Sequence, residues 1–356
     1  MVNDFMETPK IDIEGISGFK GLIEFYKPFV YKTLKGYMPG SEAGKFGEMV
    51  NSYTDRIGQY RRPAYLILWN MLYGGNEEES ILPAAAQQCT EDYYLMHDDW
   101  MDGNSVRRGK AAAHMLYGPE YAILAGDMVH MISWRIAKDA NDRIGGERGA
   151  RYFDKFYDIM KVTHMGQYLD VRLTSEVKDI TKFTEKDYFN SIHAKSAYYS
   201  VYGPMQCGAI IAGASEDRLE GIKEYGIPVG NAFQIKDDIL DCISTEEKLG
   251  KGIGTDVRDG VKTVILLNAV HNSSSSQLER LKSIYAKDRK DKTGDDVRWV
   301  LDLFNETGAV KEAEERAENL VKESSEKFEK FESGIPESKV KNIARESIGY
   351  VTKRKE

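Results

Sequence analysis

The chain has 356 residues, of which 57 are acidic and 49 basic, so its formal net charge at pH 7 is −8. With 41% hydrophobic residues it can bury a sizeable core, which excludes global disorder, and its net negative charge excludes nucleic-acid binding through general basic charge. Its three cysteines are too few and too scattered for a disulfide framework or a zinc site, which predicts a reducing, cytoplasmic environment.

Helical periodicity runs through most of the chain. In chain order, the predicted helices cover residues 62–72, 83–102, 119–138, 151–176, 186–213 and 217–246, followed by a charged amphipathic segment over 311–331. Strand patterns are nearly absent, and the serine run 273–276 is predicted to be a surface loop. No apolar run of about 18 residues and no signal-like start occurs, so no membrane span or export signal is expected. The pattern predicts one all-α domain over residues 1–356, a large helical bundle around a central cavity.

Two acidic motifs of the form D-D-x-x-D lie in helical segments, at Asp98–Asp102 and at Asp237–Asp241. On a helix the first and last aspartates of each motif lie one turn apart on the same face. Two such helices facing each other would concentrate about five or six carboxylates in one cleft, a charge that requires cations. Hard oxygen ligands with open coordination positions suit Mg²⁺, which prefers one or two carboxylates plus water and substrate phosphates. The motifs therefore predict a cleft that binds a polyphosphate through magnesium ions.

Basic residues follow both motifs. Arg107 and Arg108 come five and six residues after Asp102, the last aspartate of the first motif, and their planar guanidinium groups match phosphate oxygens. A glycine-flanked loop around Lys251 follows the second, and Lys262 comes shortly after it. One acidic motif alone could equally be a solvated helix end, whereas two copies with paired arginines favour the diphosphate site.

These motifs resemble those of the trans-isoprenyl diphosphate synthases, the farnesyl and geranylgeranyl diphosphate synthase family. The resemblance spans roughly residues 50–270 by motif. It is carried by the segments Asp98–Gly109 (D-D-x-x-D-x-x-x-x-R-R-G), Gly166–Asp170 (G-Q-x-x-D), Lys195-Ser196, Gly230–Asp241 (G-x-x-F-Q-x-x-D-D-x-x-D) and an archaeal-like Gly260–Thr263. It implies the isoprenoid synthase fold, a homodimer, and a prenyltransferase of isoprenoid biosynthesis that adds isopentenyl diphosphate to an allylic diphosphate.

The resemblance also implies a role for each matched residue. Three Mg²⁺ ions are held by Asp98, Asp102 and Asp237. Asp99, Asp238 and Asp241 either bind the ions as well or support the groups that do. The allylic diphosphate is neutralised by Arg107, Lys195 and Lys251. The diphosphate of isopentenyl diphosphate is bound by Arg62 and Arg108. Further substrate contacts come from Gln167 and Asp170, near the reacting ends, and from Ser196, Gln234 and Lys262.

Two positions depart from the family pattern, both on the side of isopentenyl diphosphate. Gln59 replaces the usual lysine of the segment before Arg62-Pro63, and Glu91 stands where His or Gln usually faces the diphosphate. An anion beside another anion weakens binding unless Glu91 is protonated, bridged by a cation or turned away. The basic terminus 353–355 resembles tails that close over this site in some members, and it could equally be a solvated end.

Tyr93 and Tyr94 predict a short product. Tyr94 lies one helical turn, about 5.4 Å, from Asp98 on the wall that the growing prenyl tail must follow. Two bulky residues here favour farnesyl diphosphate, with geranylgeranyl diphosphate second. Both rings could instead simply pack between helices, and His97 is expected to be a packing residue.

Three other functions stay open at this point. Gln59 and Glu91 leave room for a class I terpene synthase-like enzyme that ionises an allylic diphosphate without a second substrate, or for a prenyltransferase with a different acceptor. A non-catalytic subunit of a hetero-oligomer is disfavoured by the two intact acidic motifs.

Overall fold

The computed structural model describes residues 12–243 and 254–351, and these residues are helical almost throughout. The helices of the first part are α1 (Gly18–Lys35), α2 (Gly44–Asn51), α3 (Arg61–Leu72), α4 (Glu77–Met101), α5 (Ala113–Tyr117), α6 (Pro119–Ile144), α7 (Gly146–Glu176), α8 (Glu185–Ile192), α9 (Gly203–Ile211) and α10 (Glu216–Ile243). Those of the second part are α11 (Thr255–Asp259), α12 (Val264–Asn272), α13 (Ser275–Tyr285), α14 (Gly294–Glu306), α15 (Ala309–Phe331) and α16 (Lys339–Tyr350). A π-helix (His193–Tyr202) joins α8 to α9.

The β-structure of the described residues is one short hairpin, β1 (Val106–Arg107) and β2 (Lys110–Ala111), in which Arg107 pairs with Lys110. The two residues of its turn, Arg108 and Gly109, both have positive φ, at 51° and 73°. Positive φ at both central residues is the geometry of a two-residue type I′ hairpin, and it explains the glycine after the two arginines.

The all-α prediction is confirmed, and most helix bounds differ from the predicted ones by a few residues. Helix α4 begins before Pro83, because the Asn76 side chain caps its N-terminus by accepting from Glu78 N and Glu77–Glu79 fill its first turn. The segment predicted as one helix over 186–213 is helical over 185–211, but the π-helix divides it into α8 and α9. The serine run is only partly loop, because Ser274 forms a capping box with Gln277 and α13 begins at Ser275.

The described chain divides into two compact units, and the prediction of one domain stays a prediction. The first unit contains the described part of Met1–Asp158, with Ser200–Lys223 and Phe328–Ser347. In it α4 packs on α6, and α3 packs on α4 and α9 around buried Trp69. A Cβ on Gly208 of α9 would overlap the Leu66 carbonyl, so this glycine lets α3 and α9 approach closely.

The second unit contains Ile159–Tyr199, Glu224–Lys327 and the described part of Ile348–Glu356. Helix α14 contacts α11, α12 and α13, and α12 also contacts α8. Buried Val300, Leu303 and Phe304 form the inner face of α14. No helix among the described residues of the chain combines the length and apolarity that crossing a membrane requires.

Candidate functional site

The first acidic motif occupies the last turn of α4. Asp98 and Asp102 are half-buried, and the Asp102 amide donates to the Asp98 carbonyl at 2.8 Å, which keeps the two residues one turn apart. Asp99 points inward instead and is fully buried. The motif thus separates two accessible carboxylates from one internal carboxylate.

Asp99 is held by a tyrosine and an arginine. The Tyr53 hydroxyl donates to it at 2.5 Å, and Arg107 donates to both of its oxygens, with Nε at 3.0 and 3.1 Å. The Tyr53 hydroxyl also accepts from the Ala113 amide at 3.2 Å. A bidentate guanidinium and a phenol satisfy the buried charge, so Asp99 fixes the hairpin that carries Arg107 against α4.

The other arginine of the hairpin, Arg108, points to a different carboxylate group. Its Nη2 lies 3.3 Å from Glu91 and its Nη1 lies 3.1 Å from Asp92 and 3.0 Å from the Tyr53 carbonyl. Arg62 of α3 completes the group, with Nη1 3.1 Å from Glu91 and Nη2 2.8 Å from the Ser200 hydroxyl. The two arginines predicted to bind isopentenyl diphosphate therefore meet at Glu91, the residue that departs from the family pattern.

The backbone before α3 is unusual. Ile57 and Tyr60 are non-glycine residues with positive φ, at 48° and 57°, a conformation that costs about 1 kcal/mol or more and clusters at functional sites. Gly58 between them lies against the Arg108 guanidinium, which a Cβ at this position would overlap. Gln59, predicted to contact substrate, is exposed.

The two tyrosines before the motif are buried and touch each other, with ring centroids 4.5 Å apart. Tyr93 also stacks on His130 of α6 at 4.5 Å and 12°, and it meets the His97 ring edge-on at 5.0 Å. The His97 ring also contacts the Ile123 carbonyl at 3.2 Å, as expected for a packing residue. Tyr93 therefore fills the space between α4 and α6.

In the second unit, α10 carries the second acidic motif, whose first two aspartates are buried to different extents, as in the first motif. Asp237 is half-buried, whereas Asp238 is buried and accepts from the Tyr188 hydroxyl at 2.7 Å and from Gln234 Nε2 at 2.9 Å. These partners are neutral, and burial, opposed by the two hydrogen bonds, raises the pKa of Asp238 to about 7. Gln234, predicted to contact substrate, thus holds an aspartate of the motif.

Asp241, the last aspartate of the second motif, binds the first residues of α11. Its carboxylate accepts from the Thr255 hydroxyl at 2.6 Å and from the Asp256 amide at 3.0 Å, at the N-terminus of α11. It is buried, unlike the matching Asp102 of the first motif.

Two glycines of the family motifs allow neighbouring helices to pack closely on the π-helix. A Cβ on Gly166 of α7 would overlap the backbone at Ala194 and Lys195, and one on Gly230 of α10 would overlap Ala197. Glycine at both places lets the neighbouring helices touch the backbone of the segment that carries Lys195 and Ser196. Insertions of this π type are common at functional sites.

Lys195 of the π-helix forms an ion pair with Asp170 of α7, with its Nζ 2.6 Å from the carboxylate. One turn earlier on α7, Gln167 has a buried Nε2 with no acceptor among the described residues. Ser196 is buried. Four predicted site residues thus lie on neighbouring segments of one unit: Gln167, Asp170, Lys195 and Ser196.

Lys262 lies in a buried basic pair with Lys292. Both ammonium groups lie over the Tyr285 ring, at 5.6 and 5.2 Å, and donate to backbone carbonyls: Lys262 to Gly260, and Lys292 to Val257 and Arg258. Burial and mutual repulsion lower the pKa of Lys262 to about 8, and burial lowers that of Lys292 to about 8. Lys251 and the basic terminus 353–355 lie outside the described residues.

Sequence reasoning missed the groups that support the predicted residues, namely Tyr53, Tyr188, Asp92 and Lys292. None belongs to a motif, and each of the four meets a partner that is more than thirty residues away along the chain. Asp92 alone carried a signal in the sequence, as a second acidic residue directly after Glu91.

A family model for polyprenyl synthetases matches residues 44–304. The chain belongs to the polyprenyl synthetase family, the trans-isoprenyl diphosphate synthases. A short chain isoprenyl diphosphate synthase of Methanothermobacter thermautotrophicus is 32% identical over 77% of this chain and 81% of its own length. Among solved structures, a geranylgeranyl pyrophosphate synthetase from Pyrococcus horikoshii is 28% identical with a TM-score of 0.81, covering 95% of this chain and 98% of that one.

Polyprenyl synthetases use a divalent metal ion. A synthase from Corynebacterium glutamicum with the same fold (TM-score 0.85, 23% identity, 94% of this chain and 99% of that one) is described in complex with isoprenyl diphosphate and magnesium. Within the part of the chain that the structure describes, no three His, Cys, Asp or Glu side chains form a metal cage by themselves. The donor chemistry nevertheless fits Mg²⁺: Asp98, Asp102 and Asp237 offer half-buried carboxylates, and this ion is usually completed by water and phosphate oxygens.

Proposed function

We propose that this synthase condenses an allylic diphosphate with isopentenyl diphosphate in a Mg²⁺-dependent reaction. One observation carries the proposal: both acidic motifs turn their second aspartate inward onto a tyrosine and leave Asp98, Asp102 and Asp237 half-buried. Those three are the residues for which the family resemblance implies direct metal contact.

In the proposed reaction, the C–O bond of the allylic substrate breaks and diphosphate leaves with both electrons. The double bond of isopentenyl diphosphate supplies the electron pair of the new C–C bond, and a proton then passes to the released diphosphate. Magnesium, when bound, would stabilise the negative charge that develops on the leaving group.

The chain's own residues bind and orient the two substrates in this scheme. Arg107, Lys195 and Lys251 neutralise the allylic diphosphate, and Arg62 and Arg108 bind the second diphosphate. Gln167, with its buried donor, and Asp170 lie near the reacting ends. The aromatic wall of Tyr93 and Tyr94 excludes water, which would quench the allylic cation.

We further propose farnesyl diphosphate as the main product. The support is the buried pair of touching rings one turn before Asp98, which limits the room for a longer tail. Geranylgeranyl diphosphate is the second candidate, favoured by the name of the Pyrococcus horikoshii relative and by the stacking of Tyr93 on His130, which leaves Tyr94 alone to block the tail.

A homodimer is the proposed assembly. Four large apolar side chains, Tyr121, Leu124, Met128 and Met131, follow one face of α6 and are each at least 42% exposed. Their i, i+3, i+7 and i+10 spacing forms the kind of apolar stripe that packs on another helix.

The direct test is incubation with dimethylallyl, geranyl or farnesyl diphosphate, with and without isopentenyl diphosphate, in Mg²⁺ or in EDTA. Elongated diphosphates that require both Mg²⁺ and isopentenyl diphosphate are expected. A hydrocarbon or alcohol formed without isopentenyl diphosphate would instead support the terpene synthase-like alternative.

A further inference from the structure

The two arginines assigned to isopentenyl diphosphate are already paired with carboxylates of the protein. Glu91 lies 3.1 Å from Arg62 and 3.3 Å from Arg108, so one side chain bridges both guanidinium groups. Asp92 adds a second carboxylate, 3.1 Å from Arg108. These four residues, the two-arginine pocket, carry two positive and two negative formal charges, so their charges cancel, and Arg61 supplies a further positive charge that acts on Glu91.

The two carboxylates are held differently. Asp92 is 1% exposed and accepts from the Thr54 hydroxyl at 2.9 Å as well as from Arg108, so it is fixed from two sides. Glu91 has a side chain that is 13% exposed, and the contacts of its oxygens are chiefly the two arginines. Glu91 is therefore the group that an incoming anion could displace.

Charge favours the ionised form of Glu91. Burial alone would raise its pKa, but Arg62 and Arg108, together with Arg61 and a hydrogen bond from Gln88, outweigh burial and hold that pKa below its ordinary value. The side chain thus remains an anion at neutral pH and competes directly with a diphosphate for the same guanidinium groups.

Building on the proposed function, we propose that Glu91 occupies the two-arginine pocket as an internal anion and sets the affinity for isopentenyl diphosphate, which must displace it to bind. Glu91 is then a specificity-determining residue for the second substrate. It has no effect on recognition of the allylic substrate. The chemistry also discriminates against acceptors whose anionic group is too weakly charged to compete with a carboxylate for two arginines.

The test compares Glu91→Gln and Glu91→His with wild type. Each substitution removes the internal anion, and we expect the KM for isopentenyl diphosphate to fall about tenfold, the scale of a partly buried charge pair. The KM for the allylic diphosphate should not change. Glu79→Gln is the matched control, because Glu79 lies on the same helix and pairs with Arg148 at 2.8 Å outside the pocket, and it should leave both KM values unchanged.

Calorimetric titration with isopentenyl diphosphate alone separates this inference from the proposed function, because no reaction can occur without an allylic substrate. Tighter binding of isopentenyl diphosphate to both Glu91 variants than to wild type supports the inference, even if none of the proteins elongates an allylic diphosphate. Unchanged or weaker binding to both variants, or no binding to any protein, overturns it. Absence of elongation by wild type and variants alike would count against the proposed function only.

Discussion

The two acidic motifs build the same local arrangement from unrelated neighbours. In each, the second aspartate is buried and accepts a hydrogen bond from a tyrosine, Tyr53 for Asp99 and Tyr188 for Asp238. Their charge compensation differs: Asp99 also receives the Arg107 guanidinium, whereas Asp238 also receives the neutral Gln234 amide. We infer that the inner aspartates, Asp99 and Asp238, support the fold. The outer aspartates, Asp98, Asp102 and Asp237, then face the chemistry.

The basic side chains of the two units also differ in the groups that they contact. In the first unit, Arg62, Arg107 and Arg108 all contact carboxylates. In the second, Lys262 and Lys292 are buried against carbonyls and an aromatic ring, and their pKa values are lowered to about 8. The three arginines of the first unit are thus paired with carboxylates. In the second unit Lys195 is also paired, with Asp170, whereas the charges of Lys262 and Lys292 are costly to bury.

The largest expected effect comes from the outer aspartates. Asp98→Asn and Asp237→Asn should each lower kcat by about a thousandfold or more, because they remove carboxylates proposed to hold the metal-bound leaving group. Steady-state elongation assays measure the loss, and urea unfolding should show little change in stability. A large loss of stability with kcat retained would reverse the assignment of outer and inner residues.

The inner aspartates should instead affect stability, and unequally. Asp99→Asn leaves the Arg107 guanidinium without its carboxylate and should lower the free energy of unfolding by about 3–5 kcal/mol. Asp238→Asn keeps neutral partners and should cost about 1 kcal/mol or less. Equal losses in urea unfolding would show that the difference in charge compensation has no energetic weight.

Product length tests the aromatic wall beside the first motif. Tyr94→Ala, alone or with Tyr93→Ala, should shift the main product to one at least five carbons longer, since a buried ring is removed from the proposed tail path. Tyr93→Ala alone should shift it less, because Tyr93 lies on His130 between two helices. Chromatography of the dephosphorylated products measures the shift, and unchanged length in the double variant would refute the wall.

The smallest effect concerns pH and the lysines of the second unit. Their folded-state pKa near 8 lies below the ordinary value of 10.5, so folding releases protons between these values and stability should rise as pH rises from 8 towards 10.5. Lys292→Met should reduce that rise, measured as urea unfolding free energies at pH 7.5 and 9.5. An unchanged pH dependence would show that Lys292 is charged without penalty in the folded protein.

Much of this arrangement is readable from sequence because helix geometry is local. The i and i+4 spacing put Asp98 and Asp102 one turn apart, and the paired arginines after them predicted a diphosphate site. The π-helix was not predictable, since it depends on the close approach of Gly166 and Gly230 from two other helices. The pairing of Glu91 with Arg62 and Arg108 likewise depends on α3, α4 and the hairpin meeting in space.

The most direct test of the inner and outer roles is the Mg²⁺ concentration that gives half-maximal elongation. Asp102→Asn should raise it about tenfold or more, because an outer carboxylate proposed to bind the ion is lost. Asp99→Asn, measured at a temperature where it remains folded, should leave it within about twofold of wild type. A large rise for Asp99→Asn with none for Asp102→Asn would contradict the assignment.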